Sequence, residues 1–163
     1  MIQRIQSLLL LIALILHILL YFMPLYKVQY VNEQKNPITV TLKIHQIEIN
    51  KGESLKEQYS QVPLLQFIMN SILCLMIFSC IFLYKNRLRQ NLFCRFLILL
   101  DAGVIATIVF EIDKIKNLFP GFAHNSVSQI PIAFPVVSLI MLFLASRAIM
   151  KDEDKVRSAD RLR

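Results

Sequence analysis

The apolar residues of this chain are gathered into four long blocks separated by polar segments, instead of alternating with polar residues. The blocks cover about residues 7–25, 63–84, 92–112 and 131–150. Each is long enough, at about 1.5 Å per helical residue, to cross a hydrocarbon core of about 30 Å. The pattern predicts an all-α membrane protein, a bundle of four transmembrane helices that forms one domain over residues 1–163.

The first block also invites comparison with a signal peptide. Its apolar run is longer than the core of about 7 to 15 residues that signal peptides have, and no cleavage site of the Ala-x-Ala type follows it. We therefore expect this block to be retained as the first transmembrane helix.

The long connection over residues 26–62 carries a strand pattern. Residues 28–31 are rich in strand-forming side chains, and residues 38–44 alternate apolar and polar with period two. The alternation slips at residues 45–46 and then resumes. We predict a small outer β-hairpin with a bulge between helices 1 and 2. In the second outer loop, residues 113–130, we expect a partly ordered interfacial stretch around Ile115, Leu118, Phe119 and Phe122.

The composition supports the membrane interpretation and limits the chemistry. Hydrophobic residues make up 56% of the chain and charged residues only 18%, too few to cover a soluble domain of this length. The sequence has 3 glycines and neither a nucleophile–base pair nor a metal-binding motif, which indicates a non-enzymatic protein without a cofactor. The 3 cysteines lie in or beside apolar blocks, so we expect neither a disulfide framework nor a zinc site.

The net charge of +7 is distributed as a topology signal. The basic residues flank the apolar blocks and form no stripe with interleaved aromatic residues, so we predict no nucleic-acid partner. The short connection over residues 85–91 holds three cations and no acid, which predicts that it faces the cytoplasm. An even number of spans then places both termini, including the tail over residues 151–163, on the same side.

Two ionisable residues interrupt the apolar blocks at similar depths. Asp101 lies in the third block and His17 in the first, each about 13 to 15 Å from the inner face. A carboxylate at this depth costs about 2.5 to 3.5 kcal/mol on insertion scales and is therefore a functional candidate. We predict that the two side chains are neighbours. They can form a proton or ion site, or a hydrogen bond that fixes the register of the helices, and we favour the packing role.

Three segments that are distant in sequence are expected to converge on the inner face, namely residues 1–6, 85–95 and 147–163. The tail is predicted to continue the fourth helix, with opposite charges one turn apart. Such a surface suits docking on a partner chain or on the protein's own inner loop, and both remain open. The side chains predicted to form it are Arg4, Arg87, Arg147, Arg157, Asp160, Arg161 and Arg163.

Both ends and the inner loop carry recognisable runs, which are Met1-Ile2-Gln3-Arg4-Ile5-Gln6, Tyr84-Lys85-Asn86-Arg87 with Cys94 beyond it, Arg147-Ala148-Ile149 followed by Lys151-Asp152-Glu153, and Val156-Arg157-Ser158-Ala159-Asp160-Arg161-Leu162-Arg163. In these runs the chain resembles a bacterial inner-membrane family known as domain of unknown function 4293. The resemblance implies four spans and brings no activity, so no catalytic residue is carried over from it.

Together these features predict a multi-pass protein of the bacterial inner membrane that serves as an accessory or scaffolding subunit of an assembly. Its expected partners are the lipid bilayer and another membrane or cytoplasmic protein chain. The alternative is a small proton- or ion-coupled membrane protein that uses His17 and Asp101. Neutralising Asp101 discriminates between the two, because scaffolding should survive the change if folding does, whereas coupling should not.

Overall fold

The computed structural model describes residues 3–31, 37–51, 62–117, 123–128 and 130–161. Within these ranges the chain is mostly helical, and two short 3₁₀ turns lie at Leu83–Lys85 and Ile130–Ala133. The helices are α1 (Gln3–Leu19), α2 (Leu64–Phe82), α3 (Arg87–Lys116) and α4 (Phe134–Arg161). The strands are β1 (Tyr26–Val31), β2 (Pro37–Leu42), β3 (Ile47–Lys51) and β4 (Ala123–Ser128).

Three of the described helices, α2, α3 and α4, are long and apolar enough to cross a membrane, which indicates a membrane protein. The first helix is apolar but shorter and ends at Leu19, six residues before the predicted end of its block. The chain continues as turns after it, and Pro24 follows. Proline disfavours helical backbone in the residue before it and has no N–H to donate, so the sequence leaves the helix ahead of Pro24.

Each helix packs against two others. Helix α1 lies against α2 and α4, and α3 also lies against α2 and α4. The fully buried positions of α1 beyond its first turn show the spacing that makes this possible, since Leu10, Ala13 and His17 are three and four residues apart. In α3 the positions Leu97, Asp101 and Val104 repeat it. Alternating steps of four and three keep one stripe of a helix facing its neighbours.

The strands form one antiparallel sheet in the order β3-β2-β1-β4. The predicted hairpin corresponds to β1 and β2, which pair in the register Tyr26 with Leu42 and Val28 with Val40. These four side chains are buried on one face of the sheet. The strand pattern in the sequence therefore marks the packed face through its period of two.

The sheet is larger than predicted at two places. The slip in alternation at residues 45–46 is not a bulge within one strand but part of a turn, in which the Lys43 N–H donates to the Gln46 carbonyl at 2.9 Å before β3 begins. The second connection contributes β4, which pairs with β1 although its sequence has little strand character. Of the predicted interfacial stretch, Ile115 belongs to α3, whereas Leu118, Phe119 and Phe122 lie outside the described residues.

A buried tyrosine joins the sheet to α3 by a hydrogen bond. The Tyr30 hydroxyl donates a hydrogen bond to the Ile115 carbonyl in the last turn of α3, where helix carbonyls lack partners within the helix. Burial, with a smaller contribution from neighbouring Tyr26, raises the pKa of Tyr30 above its ordinary value. The phenol therefore stays protonated and keeps its proton for the carbonyl. We call this end of the helices the sheet end.

The opposite end of the helices carries most of the arginines. There α2 passes into α3 through Leu83–Lys85, and polar side chains of α1, α3 and α4 meet. We call this the basic end.

Candidate functional site

One side chain from each helix contributes to a buried cluster between the helices. His17 comes from α1, Asn70 from α2, Asp101 from α3 and Ser138 from α4, and all four are fully buried. We call these four residues the polar cluster. Asp101 lies 14 residues after Arg87 and 15 before Lys116, about 21 to 23 Å from either end of α3. The cluster is therefore near the middle of the longest helix.

His17 is held through both ring nitrogens. Its Nδ1 lies 2.8 Å from Asn70 Oδ1, and because an amide oxygen only accepts, Nδ1 carries the proton and donates. The Asn70 amide nitrogen in turn donates to the His17 carbonyl at 3.4 Å. On the other side of the ring, Nε2 lies 2.9 Å from the Ser138 hydroxyl oxygen. These contacts join α1 to α2 and to α4 and fix the orientation of the imidazole.

Asp101 completes the cluster as an ionisable neighbour of the same ring nitrogen. Its Oδ1 lies 3.4 Å from His17 Nε2, and both side chains have 0% exposure. Neither Asp101 oxygen receives a hydrogen bond from any residue that the structure describes. The structure thus brings the predicted pair together within ion-pair distance, but without the geometry of a hydrogen bond.

This arrangement allows two distributions of one proton. With the ring singly protonated at Nδ1, Nε2 accepts from the Ser138 hydroxyl, and Asp101 carries the second proton. With the ring doubly protonated, Nε2–H is a donor that lies between Ser138 and the Asp101 carboxylate. Ser138 suits both because a hydroxyl can donate or accept. The cluster can therefore hold a proton on either partner without breaking the bond to Asn70.

The surroundings of the polar cluster differ towards the two ends. One step along each stripe towards the basic end the residues are Ala13, Leu73, Leu97 and Leu142, all apolar and fully buried. One turn from Asn70 towards the sheet end lies Gln66, which is also buried. Neither amide atom of Gln66 has a hydrogen-bond partner among the described residues. Among the described residues one step from the cluster, a buried polar side chain lies on the sheet side in α2 alone, since Leu20 directly after α1 and Val104 of α3 are apolar and fully buried.

A second polar layer lies at the basic end. The Gln6 amide donates to Asp152 and, at 3.3 Å, to the Ala148 carbonyl, which joins α1 to α4. Ser146 donates to Asn91 Oδ1 at 2.7 Å, which joins α4 to α3. The Asn91 amide also donates to Met150 Sδ at 2.9 Å, so polar side chains of residues 1–6 and 85–95 both contact residues 147–163 at this end of the helices.

The predicted docking arginines are only partly covered by the described residues. Arg147 is exposed on α4. The backbone is helical at five of the others, Arg4, Arg87, Arg157, Asp160 and Arg161. Their side chains and the whole of Arg163 lie outside the part of the chain that the structure describes. The docking surface therefore stays a prediction.

Two thiols also approach each other near the basic end. Cys80 of α2 and Cys94 of α3 are fully buried, with their sulfur atoms 3.6 Å apart, and the Gln90 amide donates to the Cys80 carbonyl at 3.2 Å. Over the described part of the chain, no group of three or more His, Cys, Asp or Glu side chains could hold a metal ion. The two thiols are in contact between α2 and α3.

Asn70 and Ser138 are the cluster residues that sequence reasoning did not select. Both were visible as polar residues inside apolar blocks, but serine in a membrane helix commonly bonds to its own backbone. Ser79 does this, donating to the Leu75 carbonyl at 2.8 Å, and so does Thr107 to Val104. Only the three-dimensional packing separates Ser138 from these two.

Comparison with known proteins gives a family and no activity. None of the curated proteins is significantly similar to the chain. A family model described as "Domain of unknown function (DUF4293)" matches residues 2–162, nearly the whole sequence. The resemblance noted in the terminal and inner-loop runs is confirmed, and the chain belongs to the DUF4293 family.

Proposed function

We propose that the chain is a non-enzymatic, four-span bundle of the bacterial inner membrane whose polar cluster binds and releases a proton near the middle of the bilayer. The observation that carries the proposal is the buried pair, with His17 Nε2 3.4 Å from Asp101 Oδ1 and no exposed surface on either side chain. Ionisable residues inside a membrane are expensive and mark proton or ion sites by default. A pair that served only to hold helices together would need no carboxylate, because Asn70 and Ser138 already hold the ring.

The asymmetry around the cluster supports proton exchange from the sheet end. Gln66 offers buried polar atoms one turn away on that side, whereas apolar residues of all four helices follow on the other. A through-going conduit would need polar groups in both directions. The geometry instead favours a site that is loaded from one side and that couples its proton to the packing of the four helices which hold it.

The decisive experiment observes His17 directly. In a His45→Gln/His124→Gln background, His17 is the sole histidine, so ¹⁵N-histidine labelling in proteoliposomes reports only its ring nitrogens. We expect its resonances to change with pH and Asp101→Asn to alter that dependence, because the carboxylate is the ionisable neighbour of Nε2. Ser79→Ala, in an exposed hydroxyl bonded to its own helix, should leave the dependence unchanged. If the His17 resonances stay constant over the whole range in which the protein is folded, the pair only packs, and the proposal is wrong.

The orientation is part of the proposal and has its own test. The cation-rich connection favours a cytoplasmic basic end with both termini there, and an outer sheet. Gln29 is exposed in β1 and Asn86 is exposed between α2 and α3. Single cysteines at these positions, in a chain without native cysteines, should react with an impermeant maleimide in intact spheroplasts at Gln29 only. Labelling at Asn86 alone would reverse the orientation.

A second function, an accessory or scaffolding subunit, is supported by the length of α4. This helix continues to Arg161, 23 residues beyond Ser138 or about 35 Å, which exceeds the half-thickness of about 15 Å of a hydrocarbon core. Val156 is exposed on this extension. Deletion of residues 155–163 should then leave membrane insertion intact and remove a co-purifying protein chain. If the same chains co-purify with the truncated protein, the tail is not a docking element.

A further inference from the structure

A groove on the surface of α4 carries apolar, cationic and anionic side chains, which follow one another along the helix axis. It has a volume of about 620 Å³ and is lined by Leu144, Arg147, Ala148, Met150, Lys151 and Asp154. We call it the α4 groove. Arg147, Lys151 and Asp154 are exposed, and among the described residues none of the three forms an ion pair. Its charges are therefore available to a ligand.

The order of these groups along the helix axis follows the depth of the membrane. Lys151 lies 13 residues beyond Ser138, about 20 Å, and Asp154 about 24 Å. If the polar cluster lies near the middle of the bilayer, Lys151 is at the level of the lipid phosphates, and Arg147, one turn deeper, reaches them by extending its side chain. Leu144 is then level with the acyl chains, and Asp154 lies outside the phosphates.

We infer that the α4 groove binds the headgroup of a phospholipid with a primary ammonium group, of the phosphatidylethanolamine type. The phosphate lies between Arg147 and Lys151, which both donate to oxygen, and the ammonium donates to the Asp154 carboxylate one turn further out. Leu144 and Met150 contact the start of the acyl chains. Charge complementarity selects this occupant because a headgroup without an ammonium would leave the Asp154 carboxylate without a cationic partner.

Neighbouring charges do not obscure the assignment. Asp152, which lies between Lys151 and Asp154 in the sequence, is buried and accepts from Gln6 of α1, so it does not line the groove. Glu153 and Lys155 are also outside the lining. They provide charge-matched control positions. The inference depends on the membrane-spanning arrangement but not on proton binding at the polar cluster.

The test is lipid competition on the full chain. The purified protein in detergent is mixed with equal amounts of phosphatidylethanolamine, phosphatidylglycerol and phosphatidylcholine, and the bound lipids are counted by native mass spectrometry. We expect phosphatidylethanolamine to be retained about fivefold over either competitor, the factor that one well-placed exposed ion pair provides. Phosphatidylcholine shares the phosphate but has no N–H to donate to Asp154.

Two pairs of variants separate the groove from general surface charge. Asp154→Asn should remove the preference for phosphatidylethanolamine, whereas Glu153→Gln should keep it. Lys151→Gln should lower retention of every phospholipid, whereas Lys155→Gln should not. Preference for phosphatidylglycerol in the unmodified chain, or equal behaviour of Asp154→Asn and Glu153→Gln, would overturn the inference. Lys151, Asp154 and Lys155 are exposed on α4 and Glu153 is half-buried, and unchanged circular dichroism confirms that each variant is folded.

Discussion

The hydrogen bond between His17 and Asn70 offers the sharpest test of the polar cluster. Replacing Asn70 by leucine keeps a γ-branched side chain of similar size but removes the amide that accepts from His17 Nδ1 at 2.8 Å. Whichever tautomer the ring adopts, Nδ1 then lies in a fully buried site without its hydrogen-bond partner. A buried donor that loses its partner costs about 1 to 3 kcal/mol, and interhelical hydrogen bonds in membranes average about 0.6 with a maximum of about 1.7 kcal/mol. We expect a loss of about 1 to 2 kcal/mol in the free energy of unfolding.

The assay is equilibrium unfolding in mixed micelles, followed by circular dichroism as the denaturing detergent increases. The control in the same helix is Ser79→Ala, which removes an exposed hydroxyl bonded to its own backbone and should change stability by less than about 0.5 kcal/mol. A double-mutant cycle of His17→Leu and Asn70→Leu isolates the pair. If the two single losses add within about 0.3 to 0.5 kcal/mol, the residues do not interact and the described cluster is wrong.

Two further predictions test the sheet and the basic end. Burial raises the pKa of Tyr30, so its hydrogen bond to the Ile115 carbonyl stabilises the fold fully below about pH 10. This stabilisation is lost as the pH rises through the raised pKa. In the alkaline range the melting temperature should therefore fall more steeply with pH for the unmodified chain than for Tyr30→Phe. The Cys80 and Cys94 sulfur atoms are 3.6 Å apart, so diamide should oxidise the two thiols to one intramolecular disulfide. In this reaction diamide takes up the two electrons and two protons that the thiols lose. If both thiols can still be alkylated after the treated protein is unfolded, the packing of α2 on α3 is contradicted.

The sequence predicts the helices well because a long apolar run is a strong signal. It predicts their ends less well. The first block stays apolar up to Leu25, but Pro24 and the strand that begins at Tyr26 take its last residues out of the helix. In the sheet, the period of two identified β1 and β2, whereas β4 has the sequence Ala-His-Asn-Ser-Val-Ser. Its pairing with β1 comes from tertiary context, which overrides weak strand preference.

The site was predicted in part for a physical reason. His17 and Asp101 are conspicuous because an ionisable side chain in an apolar helix is costly, and depth alone suggested that they meet. Asn70 and Ser138 cost less to bury, so their presence alone does not separate a partner of the imidazole from a residue bonded to its own backbone. Which helices are neighbours is also a property of packing, and the contacts of α1 with both α2 and α4 are what place four residues around one ring.

The helices share two buried polar layers that differ in their chemistry. In a helix that is apolar on all sides, the hydrophobic effect does not select a buried face, because lipid is as apolar as the interior. Polar residues select it instead, and here Gln6 and His17 lie three turns apart on one stripe of α1, while Ser138 and Asp152 lie two heptads apart on α4.

The layer with Gln6 and Asp152 pairs an amide with a carboxylate and fixes the helices at the basic end. The layer with His17 and Asp101 leaves its carboxylate without a hydrogen bond from any described residue, although a serine and an amide hold the ring. A layer that served only for register would resemble the first. Under the proposed function, uptake or loss of a proton by this carboxylate and ring would change the attraction between α1 and α3, at the point where all four helices contribute a side chain.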